Sequence, residues 1–450
     1  MKLDKKIING HLVLPKEGII RADVLISNGK IVGICSDLDQ VEASESIDIK
    51  GNYVFPGIID CHTHYGIGSP DNDFFTESRS AALGGVTTIL TFYQSTKSYL
   101  DMFASEKAKG EKLSHVDFSF HFCLMKDRHI EEIDACIEEL GISSFKFFMN
   151  FRGDEGKYFG VEGIDDGFIF EGLKAIGRNK NAKAVIHAEN IEIGWRLRKK
   201  LKEEGRDGLA AWTASKPSFL EVESIQRICY FGKVTNCPIY IAHVTAKESC
   251  EQLQRLREDF SEIFAETCTH YLTHTKDSSV GNIGKVNPPL RSQKDLDYLW
   301  FAIENGILDV ISTDHVPRKF ATKKGNIWEC AAGFPGTATM LPIVLSEGYH
   351  KRGLSLQRIA QVLSENPAKI FNIYPQKGSF LVGSDADLTV VDLEMVRTVK
   401  ASELGSFADY SLYEGWELKG WPVMTMVRGE VVMDSGKLAG EPGFGEFIRR

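Results

Sequence analysis

A rhythm constrains this chain more than any single motif. Between residues 54 and 374, short β-branched or aromatic runs alternate with longer segments whose apolar and charged residues follow helical spacing. The runs are 54–60, 87–92, 118–123, 144–149, 184–187, 239–243, 263–268 and 310–313; between them 130–140, 191–204, 219–231 and 246–259 read as helices. Eight strands, each followed by a helix-sized crossover, are the arithmetic of an α/β chain folded as a (β/α)8 TIM-type barrel. A doubly wound open sheet shows the same alternation, but no G-x-G-x-x-G follows the first run, which weighs against a dinucleotide-binding sheet.

The chain ends read differently. Residues 6–9, 23–27 and 30–35 are short Ile/Val-rich strands, and Ser27-Asn28-Gly29-Lys30 supplies a hairpin turn. Residues 387–392 and 424–432 alternate in the same way around Arg428-Gly429-Glu430. Neither end is long enough to enclose a core alone. The expected organisation is therefore one β-sandwich domain from residues 1–54 and 376–450, and one barrel domain from residues 55–375.

Composition enters only to exclude. Lys+Arg 53 against Asp+Glu 62 gives a net charge of -9, with no basic run, so neither nucleic acid nor an anionic membrane surface is an expected partner. No stretch approaches the ~18 apolar residues of a membrane span, and the N-terminus lacks the apolar core of a signal peptide. Nine cysteines without a C-x-x-C pair suit reduced thiols, and a cytoplasmic location is expected.

The chemistry-bearing residues fall where strands end, which is where barrel active sites are built. The first run closes in Asp60-Cys61-His62-Thr63-His64; Lys146 lies in the fourth; His187 ends the fifth and His243 the sixth; Asp314-His315 follows the eighth. Strand alternation puts residues two apart on one side, so His62 and His64 can face one ion. Imidazoles with a carboxylate are ligands for catalytic zinc or a similar divalent metal. An ammonium cannot ligate, but a desolvated lysine among cations becomes a neutral amine, and a neutral amine that reacts with carbon dioxide gives a carbamate able to bridge two metals. His270 and His315 read as neighbours of these ligands, His121 as a residue within the third strand, and His11, His115, His129, His274 and His350 as surface residues.

The segments FPGIIDCHTHYG, SSFKFFMN, VIHAEN, IYIAHVTA, AETCTHYL, VNPPLR, STDHVP and SENPAKIFNIYPQKGSFLVGSDADLTVVD resemble, in order, the cyclic amidohydrolases of the amidohydrolase superfamily. ADYSLYEGWELKGWP and GEPGFGEFIRR narrow the resemblance to the dihydropyrimidinase and hydantoinase branch. That resemblance implies a barrel with a β-sandwich from both termini. It implies two divalent metal ions, zinc being the expected one: His62, His64 and Asp314 hold one, His187 and His243 the other, and N6-carboxylated Lys146 and a hydroxide bridge them. The implied reaction opens a small cyclic amide of the dihydropyrimidine or hydantoin type, with the hydroxide attacking the carbonyl and Asp314 as catalytic proton shuttle. Loops at Asn287 and at Ala332-Gly333 correspond to the family's substrate contacts, and a homo-oligomer, dimer or tetramer, is implied.

Departures bear on the substrate. The branch usually carries a tyrosine five residues after the bridging lysine, whose hydroxyl stabilises the oxyanion; here that position is Phe151. A serine before the Pro pair and an asparagine in the last binding loop read here as Asn287 and Ala332. Allantoinases also lack the tyrosine and form the first alternative. Dihydroorotases form the second, although their arginine two positions after the second His of H-x-H is Gly66 here. A non-catalytic scaffold of the collapsin response mediator type is the third, disfavoured by a full set of ligand residues.

Overall fold

The computed structural model describes residues 3–36, 42–158, 160–161 and 163–450. Both chain ends meet in one nine-stranded, mostly antiparallel sheet. Its path runs Lys437–Leu438, Glu430–Asp434, Glu417–Val427, Leu388–Thr398, Tyr53–Pro56, Leu3–Leu14, Gly18–Ser27, Lys30–Cys35, with Ala43–Asp48 pairing alongside Leu3–Leu14. The Asn28-Gly29 and Arg428-Gly429 turns have positive φ at both central residues (50° and 70°, 44° and 77°), which matches the twist of the strands they join. Ile7, Leu12, Val24, Ile26 and Ile31 from the N-terminal strands pack with Leu388, Val390 and Met426 from the C-terminal ones in a single apolar cluster. Neither end has that core without the other.

The second sheet has eight parallel strands, each hydrogen-bonded to its neighbours in sequence: Ile58–Thr63, Val86–Tyr93, Asp117–Cys123, Ser144–Phe148, Lys183–His187, Ile239–Ile241, Ile263–Cys268 and Val310–Ser312. This is the expected (β/α)8 sheet. These strands are buried on both faces, and their near-continuous apolar sequence follows from that. One run was read too generously: residues 54–56 pair with Leu388–Thr398 in the other sheet, and the barrel strand starts at Ile58. Gly57 is the break. A Cβ there would lie 2.3 Å from Thr87 Oγ1, and its N–H donates to Asp387 O instead of continuing either strand. The segment 130–140, read as one helix, is two short ones, Asp127–Glu131 and Ile133–Glu138.

The chain groups into two compact units, one of Met1–Leu90, Ala108–Ser119 and Gly336–Ile448, the other of Thr91–Lys107, Phe120–Pro335 and Arg449–Arg450. The strands Val86–Tyr93 and Asp117–Cys123 run through both. Within the first unit the fully buried Lys377 ammonium is shared by Asp117, Asp385 and Asp387, with Arg428 also on Asp117 and Lys30 also on Asp385. Among the described residues the nine cysteines form no disulfide, and no helix is long and apolar enough to cross a membrane.

Candidate active site

Every residue expected to ligate a metal is buried: His62 1%, His64 7%, Lys146 0%, His187 4%, His243 2% and Asp314 8% exposed. His62 and His64 share one side of the first barrel strand, with ring centroids 5.3 Å apart. His62, His64 and Asp314 each offer a ligand atom, and these atoms lie within 4.8 Å of one another, so this cluster can bind a metal ion.

In the same sheet, Lys146 pairs in register with Val185, and Phe148 with His187. The Lys146 Nζ has no hydrogen-bond partner and sits over the rings of Phe92 and Phe148, 4.5 and 5.2 Å from their centroids. Burial pushes this amine down to about 8, against the upward pull of Glu266 and Asp314. A sealed, partnerless amine of lowered basicity is the form that carbon dioxide can carboxylate, so the residues fit a carbamate-bridged pair of cations. His187 Nδ1 and His243 Nε2 face each other at 2.9 Å, a spacing that one proton or one cation must mediate.

Strain marks two of these positions. His243 and Asp314 have φ of 40° and 50°, in the left-handed region that non-glycine residues adopt at a cost of roughly 1–3 kcal/mol. Both follow very short strands, Ile239–Ile241 and Val310–Ser312, whose ladder ends just before the turn that aims the side chain. His243 is held by its own N–H, which donates to Glu266 Oε1 at 3.2 Å, while Glu266 Oε2 accepts from the Tyr240 hydroxyl at 2.8 Å.

Sequence reasoning passed over this supporting layer. Glu189 accepts from His187 Nε2 at 3.2 Å and from the Lys216 ammonium at 2.6 Å. Burial alone would raise its carboxyl, but Lys216 and His187 hold it down to about 2. With Nε2 tied to Glu189, His187 presents Nδ1 toward His243. The H-x-E spacing of 187 and 189, and a glutamate inside the apolar strand Ile263–Cys268, were the available signals, since a buried carboxylate must have partners.

Phe151 stacks on Phe148 with centroids 4.2 Å apart and planes 8° from parallel, so that position carries an apolar ring and no donor. Gly333 has φ 90°, and its N–H donates to Lys285 O. The buried Lys285 and Lys323 ammoniums donate to Cys330 O and Ala331 O at 2.5 and 2.9 Å and so fix the loop carrying Ala332. Asn287 Oδ1 is buried with no hydrogen-bond partner. His315 is fully buried and His270 lies edge-on to Phe334. His121 is tied to Ser144 Oγ at 2.6 Å and stacks on Phe92, a packed residue of the third strand. Three histidines read as surface residues are interior: His115, His129 and His274 are 1%, 1% and 3% exposed. The first two are satisfied by Ser78 and by Lys97 O with Met125 N–H, partners that no local pattern announces.

The amidohydrolase family model matches residues 236–432. The L-hydantoinase of Paenarthrobacter aurescens is 35% identical over 99% of this chain and 98% of its own length, and the D-hydantoinase of Ralstonia pickettii is also 35% identical over the same shares. Among solved structures, L-hydantoinase (dihydropyrimidinase) from Arthrobacter aurescens superposes with a TM-score of 0.93 at 35% identity, covering 100% of both chains. Dihydropyrimidinase from Brevibacillus agri NCHU1002 gives 0.91 at 30% identity, covering 99% of this chain and 98% of that one. The chain belongs to the amidohydrolase family, within the branch of hydantoinases and dihydropyrimidinases. It is a metal-dependent hydrolase.

Proposed function

We propose that this enzyme hydrolyses the amide bond of a small cyclic ureide, a hydantoin or a dihydropyrimidine, with two divalent cations, expected to be zinc, held by His62, His64, His187, His243, Asp314 and N6-carboxylated Lys146. The observation that carries this reading is Lys146, an amine with no exposed surface and no hydrogen-bond partner, which only a modification to an anion would make useful beside cations. When bound, such a pair of cations acidifies a water to near-neutral pKa and polarises a carbonyl.

The chain's own residues do the rest. Asp314, turned inward by its positive φ, accepts a proton from the attacking water and returns it to the departing ring nitrogen. Glu189 and Glu266 orient His187 and His243. The Gly333 loop, clamped by Lys285 and Lys323, offers backbone groups to the ring, together with Asn287. Phe148 and Phe151 form an apolar wall that keeps water from the reacting carbonyl. Burial throughout suits an uncharged substrate, since no cation stands two residues beyond His64 to hold a carboxylate.

The test is a panel of dihydrouracil, hydantoin, 5-substituted hydantoins, allantoin and dihydroorotate on metal-loaded protein, with metal content measured alongside. Lys146→Ala is expected to lose metal and activity together, and a short-chain carboxylic acid to restore part of both. Full activity of Lys146→Ala without such an acid refutes the carbamate; preference for dihydroorotate refutes the uncharged substrate. A homo-oligomer is proposed with the same reading, to be measured by light scattering. The large apolar side chains Phe219, Tyr230 and Phe301, 48–62% exposed, support it.

A further inference from the structure

Resting on that reading of the reaction, we infer that the Asn150 carboxamide replaces the hydroxyl that Phe151 lacks, donating a hydrogen bond to the carbonyl oxygen of the scissile amide as it becomes an oxyanion. Asn150 is 7% exposed. Its Oδ1 is buried with no hydrogen-bond partner, and among the described residues no protein group bonds either polar atom of the side chain. Its backbone is engaged, with Asn150 O accepting from Arg152 N–H at 2.9 Å. A buried amide oxygen left without a donor costs roughly 1–3 kcal/mol, and a polar group left so demands a use.

Its position supplies one. Asn150 lies in the turn that directly follows the strand Ser144–Phe148 carrying Lys146, closed by the Phe151 N–H donating to Phe148 O at 3.0 Å. The preceding residue, Met149, donates its N–H to His187 O, so the turn carrying Asn150 is pinned to a candidate ligand strand. Next in sequence, Phe151 lies flat on Phe148 and offers nothing to a developing charge. A carboxamide rotated by half a turn presents either its NH2 or its oxygen, and an NH2 in a water-poor site is a strong oxyanion donor. A donor at 150 thus compensates for the absent donor at 151.

The experiment uses the metal-loaded enzyme with its best substrate from the panel, and compares wild type, Asn150→Leu, Asn150→Asp and the double variant Asn150→Leu/Phe151→Tyr. For each, kcat, KM, metal content and melting temperature are recorded. Expected are a fall in kcat of about 100-fold for Asn150→Leu and Asn150→Asp with KM within about threefold. Metal content stays at the wild-type level, and kcat recovers at least about tenfold when tyrosine is installed at 151. Three results overturn the inference: kcat of Asn150→Leu within about threefold of wild type, loss of metal or folding in both single variants, or no recovery in the double variant. Failure of the functional reading is separate and visible beforehand, because wild-type enzyme with full metal would then open no ring on the panel.

Discussion

Replacing Lys377 by methionine withdraws one ammonium from three buried carboxylates. The partners decide the cost. Asp117 retains Arg428 and Asp385 retains Lys30, but Asp387 keeps only the Arg428 backbone N–H at 2.8 Å among the described residues. One buried carboxylate is left without a cation, which costs about 3–5 kcal/mol when a partner is removed from a buried pair. Unfolding entropy of roughly 2.1 cal/mol/K per residue over 450 residues converts that to a melting temperature lower by about 3–5 °C at pH 7.5. Burial already raises the Asp387 carboxyl, and losing Lys377 raises it further. Between the ordinary carboxylate value of about 3.9 and that raised value, the folded state holds a proton that the unfolded state has released, so stability falls as pH rises. The deficit of Lys377→Met should therefore be smaller at pH 5 than at pH 7.5. Adding Asp387→Asn should restore most of it. Differential scanning calorimetry at both pH values reads all three proteins. An equal deficit at both pH values, or a double variant no better than the single, refutes the reasoning.

Other expectations follow from single sites. Burial pushes the His115 imidazole down to about 4, so the unfolded state binds more protons between pH 4 and about 6.5. Up to about 3 kcal/mol of stability should be lost as pH falls through that window, and His115→Gln should flatten the slope in urea titrations at stepped pH; an unchanged slope counts against it. Glu189→Gln leaves the shape and removes the charge that orients His187, so metal affinity should drop roughly 10–100-fold in a chelator competition, with little change in fold by circular dichroism. In Gly333→Ala the new Cβ meets Val316 Cγ2 at 2.8 Å on a backbone with φ 90°. The loop must shift, and KM should rise more than kcat falls; unaltered kinetics would show that this loop does not touch the substrate.

Much of this protein is legible in its local sequence pattern. Periodicity fixes the two classes of sheet, because a parallel barrel strand is apolar throughout whereas the strands of the end sheet alternate around Asn-Gly and Arg-Gly turns. The spacing of His62 and His64, and the placement of Lys146, His187, His243 and Asp314 at run ends, name the candidate ligands because alternation is a local rule. Local rules stop at contacts made across sequence. That residues 54–56 belong to the end sheet is decided by pairing with a strand more than 300 residues away. That Glu189, Lys216 and Glu266 support the ligands, and that His115, His129 and His274 are interior, depends on partners from other elements. The strain at His243 and Asp314 and the unused carboxamide of Asn150 arise only when short strands end inside a packed interior. Local pattern marks which side chains can do chemistry; contacts made across the fold set which of them are buried, held and left without a partner, because desolvation and hydrogen bonding are properties of surroundings.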